Sequence, residues 1–273
     1  MPGNADEANR CTVLPKALRG RLQFGLALMS LDTLTILIPC FNEAENIAAV
    51  IAEALEKTEE IGAQLIVIDD GSDDSTAEAA RAVSSDRLTV ITHPNRAGKS
   101  AAIRTGALAA RTVWVGTMDG DGQDNPDDLV RMSQEIDLAS VGEVGLVGGV
   151  RQNRTDGGSR KWASRFANNL RKSLLNDDCP DTACGLKIMP RDLFLAMPFY
   201  DSLHRYFPAW NRHFGFEARY VPVTNRPRAA GESKYSNIGR AVAGFFDLMG
   251  VVWLMRRTHV PSPALLLRPE GTR

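Results

Sequence analysis

From Leu34 onward the chain alternates between two hydrophobic rhythms. Leu34 to Ile38, apolar but for Thr35 and stopped by Pro39, reads as a buried strand. Glu43 to Lys57 then repeats at helical spacing, with Ile47, Val50, Ile51, Ala54 and Leu55 on one side. The alternation continues with a strand at Leu65 to Ile68 and a helix capped by Ser75 that runs to about Ser84. Next come a strand at Leu88 to Thr92, a helix from about Ser100 to Ala110, and a strand at Val113 to Met118. A helix opened by Asn125-Pro126 is predicted over Pro126 to Ala139, then strands at Leu146 to Val150 and Tyr220 to Val223. Strands separated by helices of this length predict an α/β fold with a doubly wound, mostly parallel sheet. Ligands of such sheets bind outside the carboxyl ends of the strands. The loops Pro39 to Glu43, Asp69 to Ser72 and Asp119 to Gln123 all fall at that edge.

The flanks are different. Residues 1–31 read as an extension, a disordered leader or a mis-set start, because Met29 stands just ahead of the first strand. Residues 32–237 hold the alternating pattern. Within them, Ser159 to Leu175 sets Trp162, Phe166, Leu170 and Leu174 four apart, with Arg160, Lys161, Arg165, Arg171 and Lys172 elsewhere. That pattern suits a basic helix at a membrane interface and equally a helix packed on the core. Ala241 to Met255, bounded by Arg240 and Arg256-Arg257, is apolar but too short to span a bilayer. Residues 238–258 are therefore expected to form an amphipathic, membrane-interface helix, and 259–273 an irregular tail with Pro261, Pro263 and Pro269.

Composition adds limits. The 273 residues are 44% hydrophobic and 24% charged, enough for a substantial core. A net charge of -1 excludes global attraction to nucleic acid or anionic lipid, so any such contact must be local. Cys11, Cys40, Cys179 and Cys184 form no CxxC pair and no zinc spacing, which fits a reduced, cytoplasmic setting. Composition leaves homo-oligomerisation open.

The chemistry concentrates at Asp119-Gly120-Asp121-Gly122-Gln123, directly after an apolar run. Two carboxylates one residue apart at a strand end offer hard oxygen donors for Mg²⁺ or Mn²⁺, ions that keep substrate phosphates in their shell. An ordinary turn is the competing reading. Two nucleotide motifs fail. No GxGxxG follows Ile38, and the Gly98-Lys99-Ser100 run lacks the first glycine of a P-loop, position 93 being His93. Asn95 to Ser100 remains a turn into a helix N-terminus suited to anionic groups.

Four motifs then occur in one order: Ile38-Pro39-Cys40-Phe41-Asn42-Glu43, Val67-Ile68-Asp69-Asp70-Gly71-Ser72, Asn95-Arg96-Ala97-Gly98-Lys99 and Asp119-Gly120-Asp121-Gly122-Gln123. In this the chain resembles the family 2 glycosyltransferases of the GT-A fold, from about Leu34 to Lys234. The narrower resemblance is to polyprenyl-phosphate glycosyltransferases, such as dolichyl-phosphate mannose synthase and bacterial undecaprenyl-phosphate enzymes. It rests on Gly149 to Arg154, Asp181 to Gly185 and Arg228 to Tyr235.

The resemblance implies roles. Pro39, Phe41, Glu43, Asp69, Asp70 and Lys99 would hold the donor, a GDP- or UDP-linked sugar. Asp119, Asp121 and Gln123 would bind the metal, with Asp119 also beside the donor. Arg151, Arg228, Ser233 and Lys234 would receive the acceptor phosphate, making Asp119, Asp121, Arg151, Arg228 and Lys234 the catalytic set. A phosphate monoester is largely ionised near neutral pH, so it needs cations and orientation rather than a strong base. No QxxRW motif follows in the second half, which favours a phosphate acceptor over the hydroxyl acceptors of processive relatives. The expected activity is inverting transfer of one sugar to a polyprenyl phosphate by a peripheral protein on the cytoplasmic membrane face. Transfer to a hydroxyl, or nucleotide-sugar binding without catalysis, are the alternatives. Cys184 and Leu186 depart from the family pattern, where a serine and an aromatic are common.

Overall fold

The computed structural model describes residues 33–152, 171–226 and 237–259; of residues 237–243 it describes the backbone only. The strands are β1 (Leu34–Cys40), β2 (Gln64–Asp69), β3 (Leu88–Thr92), β4 (Trp114–Thr117), β5 (Val144–Arg151), β6 (Lys187–Pro190) and β7 (Glu217–Val223). They form one sheet in the order β3-β2-β1-β4-β6-β5-β7. Six strands point the same way, and β6 runs against both of its neighbours. The helices are α1 (Ile47–Lys57), α2 (Thr76–Ala82), α3 (Lys99–Ala109), α4 (Pro126–Ser133), α5 (Arg191–Ala196), α6 (Phe207–His213) and α7 (Asn237–Arg257).

Strand alternation explains the two layers. Ile36, Ile38, Leu65, Val67, Trp114 and Ile188 face one side, where they pack with Ile47, Val50 and Ile51 of α1 and Leu129 and Met132 of α4. Leu37, Ile66, Ile68, Val115 and Met189 face the other, against Ile103 of α3, Leu193 of α5 and Trp210 of α6. Both faces of the central strands are therefore covered, as their continuous apolar runs require. The sheet is the α/β, mostly parallel one that the rhythm predicts.

Three elements differ from the sequence expectation. The helix predicted to reach Ala139 stops at Ser133. Beyond it the Asp137 carboxylate accepts from the Ala139 N–H (3.0 Å) and the Ser140 hydroxyl (2.8 Å), a local turn that competes with helical bonding. Strand β6 and helix α6 have no clear periodic signature. Of the Ser159 to Leu175 segment, only 171–175 is described; it is helical, with Leu175 in the core and Arg171 buried against Asp177 (2.7 Å to Oδ2) and the Cys179 carbonyl (2.9 Å). The expectations for residues 1–31 and for most of the tail lie outside the described residues.

Helix α7 is two-sided. Leu248, Val251 and Val252 enter the core, each worth about 1.5–3 kcal/mol when fully buried. Phe245, Phe246, Met249 and Trp253 remain exposed. The helix is pinned at its end by His213 Nε2, 2.7 Å from the Thr258 carbonyl. Among the described residues no helix is long and apolar enough to cross a membrane.

Candidate active site

Three loops leaving β1, β2 and β3 are tied together at the carboxyl edge. Asn42, in the left-handed region (φ 57°), donates its N–H to Ser72 Oγ (2.9 Å) and accepts from the Asp73 N–H (3.1 Å). The Glu43 N–H donates to Thr76 Oγ1 (2.9 Å), and the Glu43 carboxylate accepts from Asn46 Nδ2 (2.8 Å). The buried Asp69 carboxylate accepts from the N–H (3.2 Å) and hydroxyl of Ser72. Pro39 pairs with Ile68 in the β1–β2 register, which places Phe41 at the mouth of the cradle. There the Arg96 guanidinium lies 4.1 Å from the Phe41 ring centre.

Asp70 knots the third loop to the second. Its carboxylate accepts from the N–H groups of Ala97 (2.9 Å) and Gly98 (2.7 Å) and sits 2.8 Å from His93 Nδ1. Gly71 makes the close approach possible. It has φ +70°, and an added Cβ would lie 2.7 Å from the Asn95 carbonyl carbon. Asp70 thus shapes the cradle by organising backbone.

The acid loop after β4 is built around a half-buried charge cluster. The Asp119 N–H donates to Asp124 Oδ2 (2.9 Å), and Lys99, from the first turn of α3, donates to Asp119 Oδ1. Gln123 donates its N–H to Asp121 Oδ1 (3.1 Å). Burial alone would raise the Asp119 pKa, but Lys99 and then Lys187 outweigh it and hold the carboxyl below its usual range. Lys99 is raised in turn: burial opposes its charge and Asp119 wins. Asp124 goes the other way, pushed up to about 7 by burial and by the Asp119 charge. Lys187, almost fully buried, is lowered by burial and by Lys99; its ammonium donates to the Cys184 carbonyl. His204, whose Nδ1 is 2.8 Å from Ser100 Oγ, is pushed down to about 3 by burial and by both lysines.

Gly185 closes the cluster. A Cβ there would stand 2.5 Å from Asp124 Oδ2 and 2.9 Å from Asp119 Cγ, so only glycine lets the loop before β6 lie on the two acids. Gly185 belongs to the Asp181 to Gly185 motif of the sequence, but the sequence pattern does not single out Asp124, Lys187 or His204. Asp124 directly follows Gln123, and that adjacency is the one signal pointing to it.

At the end of β5, Arg151 forms a bidentate pair with Asp181 (2.8 and 3.0 Å). That bond raises the Arg151 pKa above its ordinary value, against the pull of burial. Arg228, Ser233 and Lys234 lie outside the described residues. The strand that precedes them, β7, ends at the same edge: Thr224 donates its N–H and hydroxyl to Asp128 Oδ2 (2.7 and 2.8 Å).

The donor chemistry of Asp119, Asp121 and Gln123 fits a divalent hard cation, two carboxylates and an amide oxygen beside substrate phosphates. Among the described residues no three His, Cys, Asp or Glu side chains converge on one point.

Residues 35–196 match the glycosyl transferase family 2 domain. The chain is 31% identical over 242 residues to a dodecaprenyl-phosphate galacturonate synthase of Rhizobium johnstonii, covering 84% of this chain and 69% of the relative. It is 30% identical over 227 residues to an undecaprenyl-phosphate 4-deoxy-4-formamido-L-arabinose transferase of Sodalis glossinidius, covering 81% and 68%. Among solved structures it resembles a mannosyl-3-phosphoglycerate synthase from Rubrobacter xylanophilus (TM-score 0.63, 18% identity, 88% of this chain and 78% of that one). A second likeness is to a glucosyl-3-phosphoglycerate synthase from Mycobacterium tuberculosis in complex with Mn²⁺, UDP and glucosyl-3-phosphoglycerate (TM-score 0.60, 18% identity, 84% and 82%). The structural likenesses speak for the fold, GT-A-like, and the family match extends over more than half the chain. The chain belongs to the family 2 glycosyltransferases.

Proposed function

We propose that this glycosyltransferase moves a single sugar, with inversion, from a nucleotide-sugar to a polyprenyl phosphate. The observation that carries this reading is that both sequence relatives, at 30–31% identity, are named for polyprenyl-phosphate sugar chemistry. The donor would lie in the cradle of Pro39, Phe41, Glu43, Asp69 and Asp70, with Asp119, Asp121 and Gln123 holding Mg²⁺ or Mn²⁺. That ion would offset the charge on the departing nucleoside diphosphate. Lys99 stands beside the same phosphates and adds positive charge that needs no reorganisation during transfer. The acceptor oxygen is already ionised, so the protein's share is to orient it with Arg151, Arg228, Ser233 and Lys234.

The acceptor is a lipid, and helix α7 offers a surface for it. Exposed Phe245, Phe246, Met249 and Trp253 share the helix with Arg256 and Arg257, and Arg257 lies 5.1 Å from the Trp253 ring centre. Aromatic and basic residues together suit the headgroup zone of an anionic leaflet. We place the protein peripherally on the cytoplasmic face.

The test is turnover of UDP- and GDP-sugars by the purified chain with Mn²⁺ and undecaprenyl phosphate in detergent. Isoprenoid-dependent release of nucleoside diphosphate, lost in Asp121→Ala and on chelation, is the expected result. Transfer to saccharide hydroxyls with no response to the lipid phosphate would overturn it.

A further inference from the structure

Arg226 belongs to none of the motifs above, yet it grips the acid loop on both sides of Asp124. Its Nη1 takes both carboxylate oxygens of Glu53, from α1, at 2.9 Å each, and Nη2 donates to Asn125 Oδ1 at 2.9 Å. Its backbone N–H donates to the Gln123 carbonyl (3.1 Å), and its own carbonyl accepts from Gln123 Nε2 (3.3 Å). A carbonyl can only accept, so this contact fixes which end of the Gln123 amide is nitrogen. The oxygen, the end a hard cation takes, is left out of it. Asn125 is fixed as well, since its Oδ1 also accepts from the Asp127 N–H (3.2 Å) at the start of α4.

A partly exposed ion pair such as Glu53–Arg226 is ordinarily worth little, about 0–1 kcal/mol. What sets this one apart is where its bonds end. The guanidinium and the backbone of one residue together fix Gln123 and Asn125, the two neighbours of Asp124. Groups that orient metal ligands in this way commonly shift metal affinity on the order of 10- to 100-fold.

We propose that Arg226, oriented by Glu53, is a positioning residue that presents Gln123 and so sets the affinity of the Asp119–Gln123 loop for its divalent cation. The inference rests on the reading that this loop holds the metal. Its test is Mn²⁺ binding by the full chain in the presence of UDP, followed by loss of the free Mn²⁺ electron paramagnetic resonance signal. Thermal melting and the Mn²⁺ dependence of turnover are measured alongside. Arg226→Met is expected to weaken Mn²⁺ binding on the order of 10-fold, with kcat at saturating Mn²⁺ retained and Tm nearly unchanged. Arg226→Lys restores only part, because one ammonium cannot span Glu53 and Asn125 together. Glu53→Gln, which leaves every backbone contact in place, falls between wild type and Arg226→Met. Wild-type Mn²⁺ affinity in both Arg226→Met and Glu53→Gln, with binding lost in Asp121→Ala, overturns this inference and leaves the metal reading standing. Should Arg226→Met not fold, unchanged affinity in Glu53→Gln alone overturns it. If Asp121→Ala binds Mn²⁺ as wild type does, or wild type binds none, the metal reading itself falls and the inference with it.

Discussion

Lys99 reaches out of the first turn of α3 and donates to Asp119 Oδ1, bridging the loop after β3 and the acid loop. The contact favours the ionised form of Asp119, which is half-buried. Lys99→Met is expected to lower kcat on the order of 100-fold, the scale of losing one preorganised electrostatic contact. Lys99→Arg, with its different reach and fork, should recover only part. Steady-state kinetics with nucleotide-sugar varied checks this; a Lys99→Met enzyme with wild-type kcat would remove Lys99 from the site.

Gly185→Ala should damage the site more than the fold. Its methyl would meet Asp124 and Asp119, which must move by tenths of an ångström or more. Overpacking of this kind typically costs about 1–3 kcal/mol. We expect a chain that melts a few degrees lower but has lost most of its turnover, measured by calorimetry and initial rates on one preparation. Wild-type rates would mean that the acids can shift without penalty.

Acid sensitivity should trace partly to His204. The charges acting on it are those of Lys99, Lys187 and Arg205, opposed by Asp119. Its folded pKa, about 3, lies below the unfolded value of about 6.5. As pH falls through that window the unfolded chain takes up the proton first, so stability drops from about pH 6.5 downward. Asp124, with a raised pKa, contributes the opposite slope between its ordinary value of 3.8 and about 7. The stability of His204→Gln minus that of wild type isolates the histidine. It should rise with acidity below pH 6.5; a flat difference in denaturant midpoints would show that His204 protonates equally in both states.

Lipid association should depend on the outer face of α7. Phe246 and Trp253 are 68% and 58% exposed, so Phe246→Ser with Trp253→Ser should leave Tm nearly unchanged. Flotation with anionic vesicles at low salt should fall several-fold in that double variant. Equal flotation of both proteins would send the membrane contact elsewhere on the chain.

The sheet was legible because its buried strands write their burial directly: Leu34 to Ile38 and Leu65 to Ile68 are apolar on both faces. Strand β6 was not, because four residues beginning with a lysine and ending with a proline carry no period. The candidate ligands Asp119, Asp121 and Gln123 stand out by chemistry and spacing within one loop. Asp124 and Lys187 do not, since Asp124 is covered by Gly185, some sixty residues on, and Lys187 feels Lys99 and Asp119 across a similar or greater span of sequence. Arg226 is harder still: its partners Glu53 and Asn125 come from two different helices' surroundings, and nothing local announces the contact.

Because β6 is reversed, the segment that leads into it arrives at a rim otherwise made of departing loops. Asp181, Cys184 and Gly185 therefore border the acids without sharing a strand exit with the donor cradle. Changes in that incoming segment can remodel the ground beside Arg151 while the Asp70 knot stays as it is. The segment entering β6 and the loops leaving β1, β2 and β4 thus reach this rim from opposite chain directions.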